Sequence, residues 1–313
     1  MLWLAFVPVL ACERWAPLTA LAPITAPGLE ESSGVAPSLR TPGLLWTHDD
    51  AGAPELYRFG IDGTVTTHPV PAADNRDWED IASASCGGRT CLYIGDIGAE
   101  RGTPEELQVY VVVEPADEDD PASLRELWEL RWPSTPRDAE TLLVHPCTLD
   151  AFLVTRGEVS EVFAVASDRG PRATDLRPVA ALSVPDITGG DFSPDGTALV
   201  LRTREAVYRW TVDPDDPEAV FSTEPVLVVD GLTPGEALTW EPDGDLILTS
   251  EGAPTAVGRL ACDQPADAPV CTPTGCGCRT APWSLGGGWA VVVAAAAARW
   301  AARRRRDRQP SAA

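Results

Sequence analysis

The chain has 313 residues, 44% of them hydrophobic, which is enough for a sizeable core and excludes a disordered protein. Every one of its 24 basic residues is arginine, and 47 acidic residues bring the formal charge to −23. A surface that acidic repels phosphate backbones, so nucleic acid is excluded as a natural partner, and cations or basic surfaces suit it better.

The chain opens MLWLAFVPVLAC, an apolar run ending at Cys12. Val9-Leu10-Ala11-Cys12 resembles a bacterial lipobox, which implies a signal peptide over residues 1–12, export, and lipidation at Cys12. The alternative reading is a buried N-terminal strand. Residues 13–27 follow as a linker in which Pro17 to Ile24 can supply a strand.

Between 28 and 263 short β-rich runs alternate with Pro, Gly and Asp. Leu44 to Thr47, Cys91 to Ile94, Ala151 to Val154, Ala198 to Leu201 and Leu246 to Thr249 read as inner strands. Asp62-Gly63, Asp195-Gly196 and Asp243-Gly244 sit where tight hairpins need positive φ. Ser123 to Trp132 fits a helix or a strand equally well. A small or acidic dipeptide precedes each strand pair: Ser33-Gly34, Glu79-Asp80, Glu140-Thr141, Gly190-Asp191 and Glu236-Ala237. Their spacing of about 50 residues, with about four strands per unit, is the mark of a propeller blade. The expected fold is therefore all-β, one propeller of five blades (six at most), with Pro17 to Ile24 supplying the outer strand that the fifth unit lacks.

In such a ring the loops entering the innermost strands and those leaving the second strands open on one face. Glu79, Asp80, Glu140, Asp191 and Glu236 occupy the entries, and Asp49, Asp50, Asp96, Arg156, Arg202 and Glu251 the second-strand ends. Clustered carboxylates raise one another's pKa unless a cation neutralises them, and a set of hard oxygens suits Ca²⁺. The first five are thus candidate calcium ligands and the other six candidate binding residues. Against this, Glu140 and Glu236 can cap neighbouring strands, with Arg156 and Arg202 as salt-bridge partners. No nucleophile elbow, phosphate loop or dinucleotide fingerprint is present, and of the three histidines only His48 falls near the mouth. No catalytic residue is assigned. Trp46, Trp78, Trp128, Trp132, Trp210 and Trp240 read as packing between blades.

Eight cysteines in an exported chain imply disulfides. Cys86 and Cys91 flank a turn and are expected to pair; Cys262 and Cys271 bracket the last acidic loop and could pair, which leaves Cys147 over. Beyond them come Cys276 and Cys278, an apolar stretch over 283–302 long enough to span a bilayer, and a basic tail over 303–313. Gly-Cys, apolar helix, arginine cluster in that order resembles the MYXO-CTERM sorting tail, which implies display at the cell surface.

Trp46 to Asp50, Asp77 to Ala82, Tyr93 to Gly98, Arg137 to Glu140, Asp191 to Gly196 and Gly235 to Ala237 resemble a family of uncharacterised secreted bacterial propellers, similar in pattern to the esterase-like phytase and SdiA-regulated propellers. The resemblance runs from about Ser32 to Gly252. That family continues Gly-Asp-Ile-Gly with Asp-Asn, whereas Ala99-Glu100 follows here, so no site is carried over at that loop. The resemblance implies the fold and not an activity. The leading expectation is an exported, membrane-anchored propeller that binds a ligand or a surface protein at its acidic mouth. A calcium-dependent extracellular hydrolase acting on an ester or phosphoester is the alternative, and a structural surface module is a third.

Overall fold

The computed structural model describes residues 12–99, 102, 104–167 and 173–265. The apolar run before Cys12, Cys271, Cys276, Cys278, the apolar stretch 283–302 and the basic tail lie outside the described residues. Among those described, no helix is long and apolar enough to cross a membrane.

The described chain begins with β1 (Cys12–Trp15) and β2 (Thr19–Ala20) and then lays down five antiparallel sheets in succession. Blade one is β3 (Val35–Pro37), β4 (Leu44–His48), β5 (Glu55–Gly60) and β6 (Val65–Pro69). Blade two is β7 (Trp78–Ser85), β8 (Thr90–Asp96), β9 (Glu106–Val113) and β10 (Ser123–Arg131), to which β14 (Thr174–Asp175) adds a short parallel edge. Blade three is β11 (Ala139–Val144), β12 (Ala151–Thr155), β13 (Glu161–Val165) and β15 (Arg177–Ala181). Blade four is β16 (Ile187–Phe192), β17 (Ala198–Thr203), β18 (Val207–Thr211) and β19 (Val226–Val229). Blade five is β20 (Leu238–Trp240), β21 (Leu246–Thr249) and β22 (Val257–Leu260), and its outer strand is β2 from the other end of the chain. The inner strands β3, β7, β11, β16 and β20 pack in that order around one axis, with β20 against β3, so the ring has five blades and is closed.

The five apolar runs of the sequence are the second strands of their blades, one place out from the axis. They are apolar on both faces because each face meets a neighbouring blade. In β12, Ala151 and Leu153 pack towards blade two, while Phe152 and Val154 pack towards blade four. In β17, Leu199 and Leu201 meet blade three, and Ala198 and Val200 meet blade five. Side chains of this size contribute roughly 1.5–3 kcal/mol each when fully buried. The segment from Ser123 is a strand, β10: Trp128 and Leu130 are buried while Leu127, Glu129 and Arg131 face solvent, a period of two that a helix does not give. All six tryptophans expected between blades are buried. Gly63, Gly196 and Gly244 have φ of 84°, 72° and 92°, as their hairpins require.

A final strand, β23 (Cys262–Pro265), pairs with β1, and Cys12 is joined to Cys262 by a disulfide across a sequence separation of 250. This corrects two expectations. With the Cys12 and Cys262 sulfurs bonded to each other, Cys262 does not pair with Cys271, and the thiol that a lipid would take at Cys12 is engaged; the apolar run that precedes it lies outside the described residues. The physical reason is ring closure: strands from both ends of the described chain meet at blade five, so the thiol that reaches Cys262 comes from the far end of the sequence. Cys86 and Cys91 are paired across their turn as expected, and Cys147 is half-buried with its Sγ 4.0 Å from the Asp195 carbonyl.

Candidate functional site

The inner strands of blades two, three and four begin with the same irregularity. Trp78 pairs with Asp96 and Asp80 with Gly95; Ala139 pairs with Thr155 and Thr141 with Val154; Ile187 pairs with Thr203 and Gly189 with Arg202. One extra residue is therefore squeezed out in each, namely Glu79, Glu140 and Thr188. Counting back from the pairs Leu238–Leu248 and Val35–Thr47 puts Glu236 and Ser33 at the corresponding places in blades five and one. The ring around the mouth thus reads Ser33, Glu79, Glu140, Thr188, Glu236. Two residues earlier in blades one to four stand Glu31, Asp77, Asp138 and Asp186, and in blade five Pro234.

The three glutamates are buried, at 8%, 2% and 5% exposure for Glu79, Glu140 and Glu236. Arg156 sits 2.9 Å from Glu140 and 3.1 Å from Asp138, and Arg204 sits 2.8 Å from Glu236 and 3.6 Å from Glu251. Among the described residues no basic side chain pairs with Glu79. A Cβ on Gly98 would overlap Glu79 Oε1 and lie 2.6 Å from Asp77 Oδ2, so only glycine lets these two carboxylates crowd the backbone there. Burial pushes the Glu79 carboxyl well above the usual range, and the charges of Glu140, Asp77, Glu236 and Asp138 push it further. Burial also raises Glu140 to about 9 in spite of Arg156, and burial together with Glu251 raises Glu236 to about 7.

Asp80 and Asp191 are placed differently. Both point across to the next blade. Asp80 accepts the Leu142 N–H at 2.9 Å, and Asp191 accepts the Thr239 hydroxyl at 2.7 Å and the Trp240 N–H at 3.1 Å. Their oxygens clasp blade two to three and blade four to five, because Asp80 follows the bulged Glu79 directly and Asp191 lies three residues beyond Thr188, both deeper than the mouth ring. Asp49 and Asp96 hold matching posts in blades one and two: Asp49 accepts the Glu31 N–H at 2.8 Å and Asp96 the Asp77 N–H at 3.1 Å. Asp96 is further held by Arg76 at 2.9 Å. The Asp50 carbonyl accepts the Trp78 N–H. Glu251, with Glu30 and Glu31, lines an open depression of about 400 Å³ beside the mouth.

Arg202 does not act as a salt-bridge partner of the mouth. It is buried, and its guanidinium donates to backbone carbonyls. The arginine that pairs with Glu236 is Arg204, two residues on; alternation along β17 and into its turn is the signal that points to it. His48 is fully buried at the seam of blades one and two, edge-on to Trp78 at 5.7 Å, and burial lowers its pKa to about 4. It is a neutral packing residue.

Among the described residues, three acidic side chains bring ligand atoms within 4.8 Å of one another at Glu241, Asp243 and Asp245, on the hairpin between β20 and β21, and not at the mouth. Arg259 lies against all three of them, 3.3 Å from Asp243 and 4.0 Å from Glu241, so a cation is already in place there.

These features define a five-bladed β-propeller with a buried, acid-rich mouth. No family model matches the sequence, and neither does any curated protein. Among solved structures it is similar to a putative oxidoreductase (glucose dehydrogenase) from Thermus thermophilus, at 14% identity and a TM-score of 0.45, over 78% of this chain and 99% of that one. A second glucose dehydrogenase gives 13% identity and 0.45, over 79% and 99%. A nidogen/laminin complex gives 15% and 0.44, over 71% and 72%. The assignment of the fold rests on the strand order itself.

Proposed function

We propose that this chain is a non-catalytic, exported propeller that takes a cationic ligand, or a basic segment of a partner, at its mouth. The observation that carries the reading is the charge imbalance there. Glu79, Glu140, Glu236, Glu251 and Asp138 lie around two guanidinium groups, those of Arg156 and Arg204, and Glu79 is buried with no basic partner among the described residues. Burying a carboxylate without a counter-charge costs several kcal/mol, so the site gains from either a proton or a cation. The two disulfides support an oxidising compartment, hence export. An anchor at the cell envelope belongs to the same proposal and rests on the sequence of the C-terminal tail.

The test is a titration of the full-length chain with Ca²⁺ and, separately, with spermidine, read as thermal stabilisation. A Glu79→Gln/Glu140→Gln/Glu236→Gln variant serves as the control. Stabilisation of the parent and not of the variant supports the reading, and a response to Ca²⁺ alone makes an esterase and phosphatase screen worthwhile. No shift with either cation removes the reading.

A further inference from the structure

A pocket of about 290 Å³ opens at the seam between blades four and five. Leu232, Leu248 and Val257 are buried in its wall, and Leu18 and Thr233 stand exposed at its rim. Its wall also holds Arg202, which is only 2% exposed. Arg202 Nε donates to the Thr203 carbonyl at 3.2 Å, one terminal nitrogen to those of Ala237 and Thr249 at 2.8 and 3.2 Å, and the other to that of Arg204 at 3.3 Å. A guanidinium carries five N–H donors. Four are accounted for, all on neutral carbonyls, and none of the described carboxylates forms an ion pair with Arg202. Glu236 is the carboxylate whose field reaches it, and Glu236 is held by Arg204.

A buried cation without a counter-ion, set in a small apolar pocket, is complementary to one class of molecule. We infer that this pocket binds an apolar monocarboxylate, the carboxylate received by Arg202 and the hydrocarbon lying against Leu232, Leu248 and Val257. The two parts of the ligand match the two parts of the wall: an alcohol of the same length would fill the apolar part and leave the charge unanswered, and an amine would meet a like charge.

The experiment compares octanoate, octanol and octylamine by calorimetry on the full-length chain. Octanoate is expected to bind at least tenfold more tightly than octanol, and octylamine not at all. Arg202 ties four carbonyls together, so its removal can unfold the ring. The decisive variant is therefore Thr233→Trp at the exposed rim, which should leave the melting temperature unchanged and weaken octanoate at least tenfold. Equal binding of octanoate and octanol, octanoate binding that survives Thr233→Trp, or no octanoate binding at millimolar concentration overturns the proposal.

Discussion

Cys12 is bonded to Cys262 across a separation of 250 residues, so the two ends of the described chain form one covalent unit at blade five. Around that bond β1 pairs with β23, and Trp15 lies 5.6 Å from Trp240 while its indole N–H donates to the Gly244 carbonyl. A propeller without covalent closure can open at the seam where its last blade meets its first. Here blade five is built from both ends of the chain and then clipped.

Replacing Cys12 and Cys262 by serine should cost about 2–5 kcal/mol, since the bond closes a very long loop. Cys86→Ser/Cys91→Ser, which opens a loop with a separation of only 5, should cost clearly less. Urea unfolding of both pairs under oxidising conditions measures the difference. Equal costs would show that ring closure is not held by the longer bridge.

Starting the chain at Gly28 removes β2 and Cys12 together. Blade five then has three strands, and the edge of β22 loses its partner. The shortened chain should aggregate or melt well below one that begins at Cys12, as read by light scattering and by the thermal transition.

The blade clasps can be tested one atom at a time. Asp80→Ala leaves the Leu142 N–H buried without an acceptor and should cost roughly 1–3 kcal/mol. Asp80→Asn keeps an oxygen there and should cost less, because burial already raises the Asp80 carboxyl well above its usual range and favours the neutral form. Asp191→Ala should resemble Asp80→Ala, with Trp240 N–H and the Thr239 hydroxyl as the orphaned donors.

The mouth predicts a pH dependence of definite sign. Glu79, Glu140 and Glu236 have folded pKa values above those of the unfolded chain, so the folded state binds more protons between the two. Their contribution is fully present below the ordinary carboxylate range and is lost as pH rises towards about 7 for Glu236 and about 9 for Glu140. The parent should therefore lose several degrees of thermal stability between mildly acidic and mildly alkaline buffer, relative to the Glu79→Gln/Glu140→Gln variant. Parallel profiles for the two would contradict the electrostatic description of the mouth.

Removing a guanidinium should strengthen the attraction of the mouth for cations. Arg156→Gln leaves Glu140 and Asp138 without their ion-pair partner, and the affinity for Ca²⁺ or spermidine, measured by calorimetry, should rise several-fold. An unchanged cation affinity would separate the arginine from the binding site.

Strand positions and the repeat were legible because second strands are buried on both faces and therefore read as short apolar runs, bounded by Asp-Gly turns. Glu79, Glu140 and Glu236 were legible for a related reason: each stands at the entry to an inner strand, and that junction recurs about every 50 residues. Asp191 looked like their equivalent because it too is an acid beside an apolar residue. The bulge register shows that Thr188 holds that place, which only strand pairing can reveal.

Length, acidity and periodicity by themselves determined that this is an all-β ring of about five units with an acid-rich face, since those properties depend on neighbours along the chain. The partners of Cys12, Asp80, Arg202 and Arg204 depend on neighbours across it. Which thiol meets Cys262, which carboxylate turns to the next blade and which arginine answers Glu236 were decided by ring closure and by a one-residue bulge. Contacts between residues far apart in the sequence, and side chains turned by a single extra residue, leave no local trace in composition or spacing.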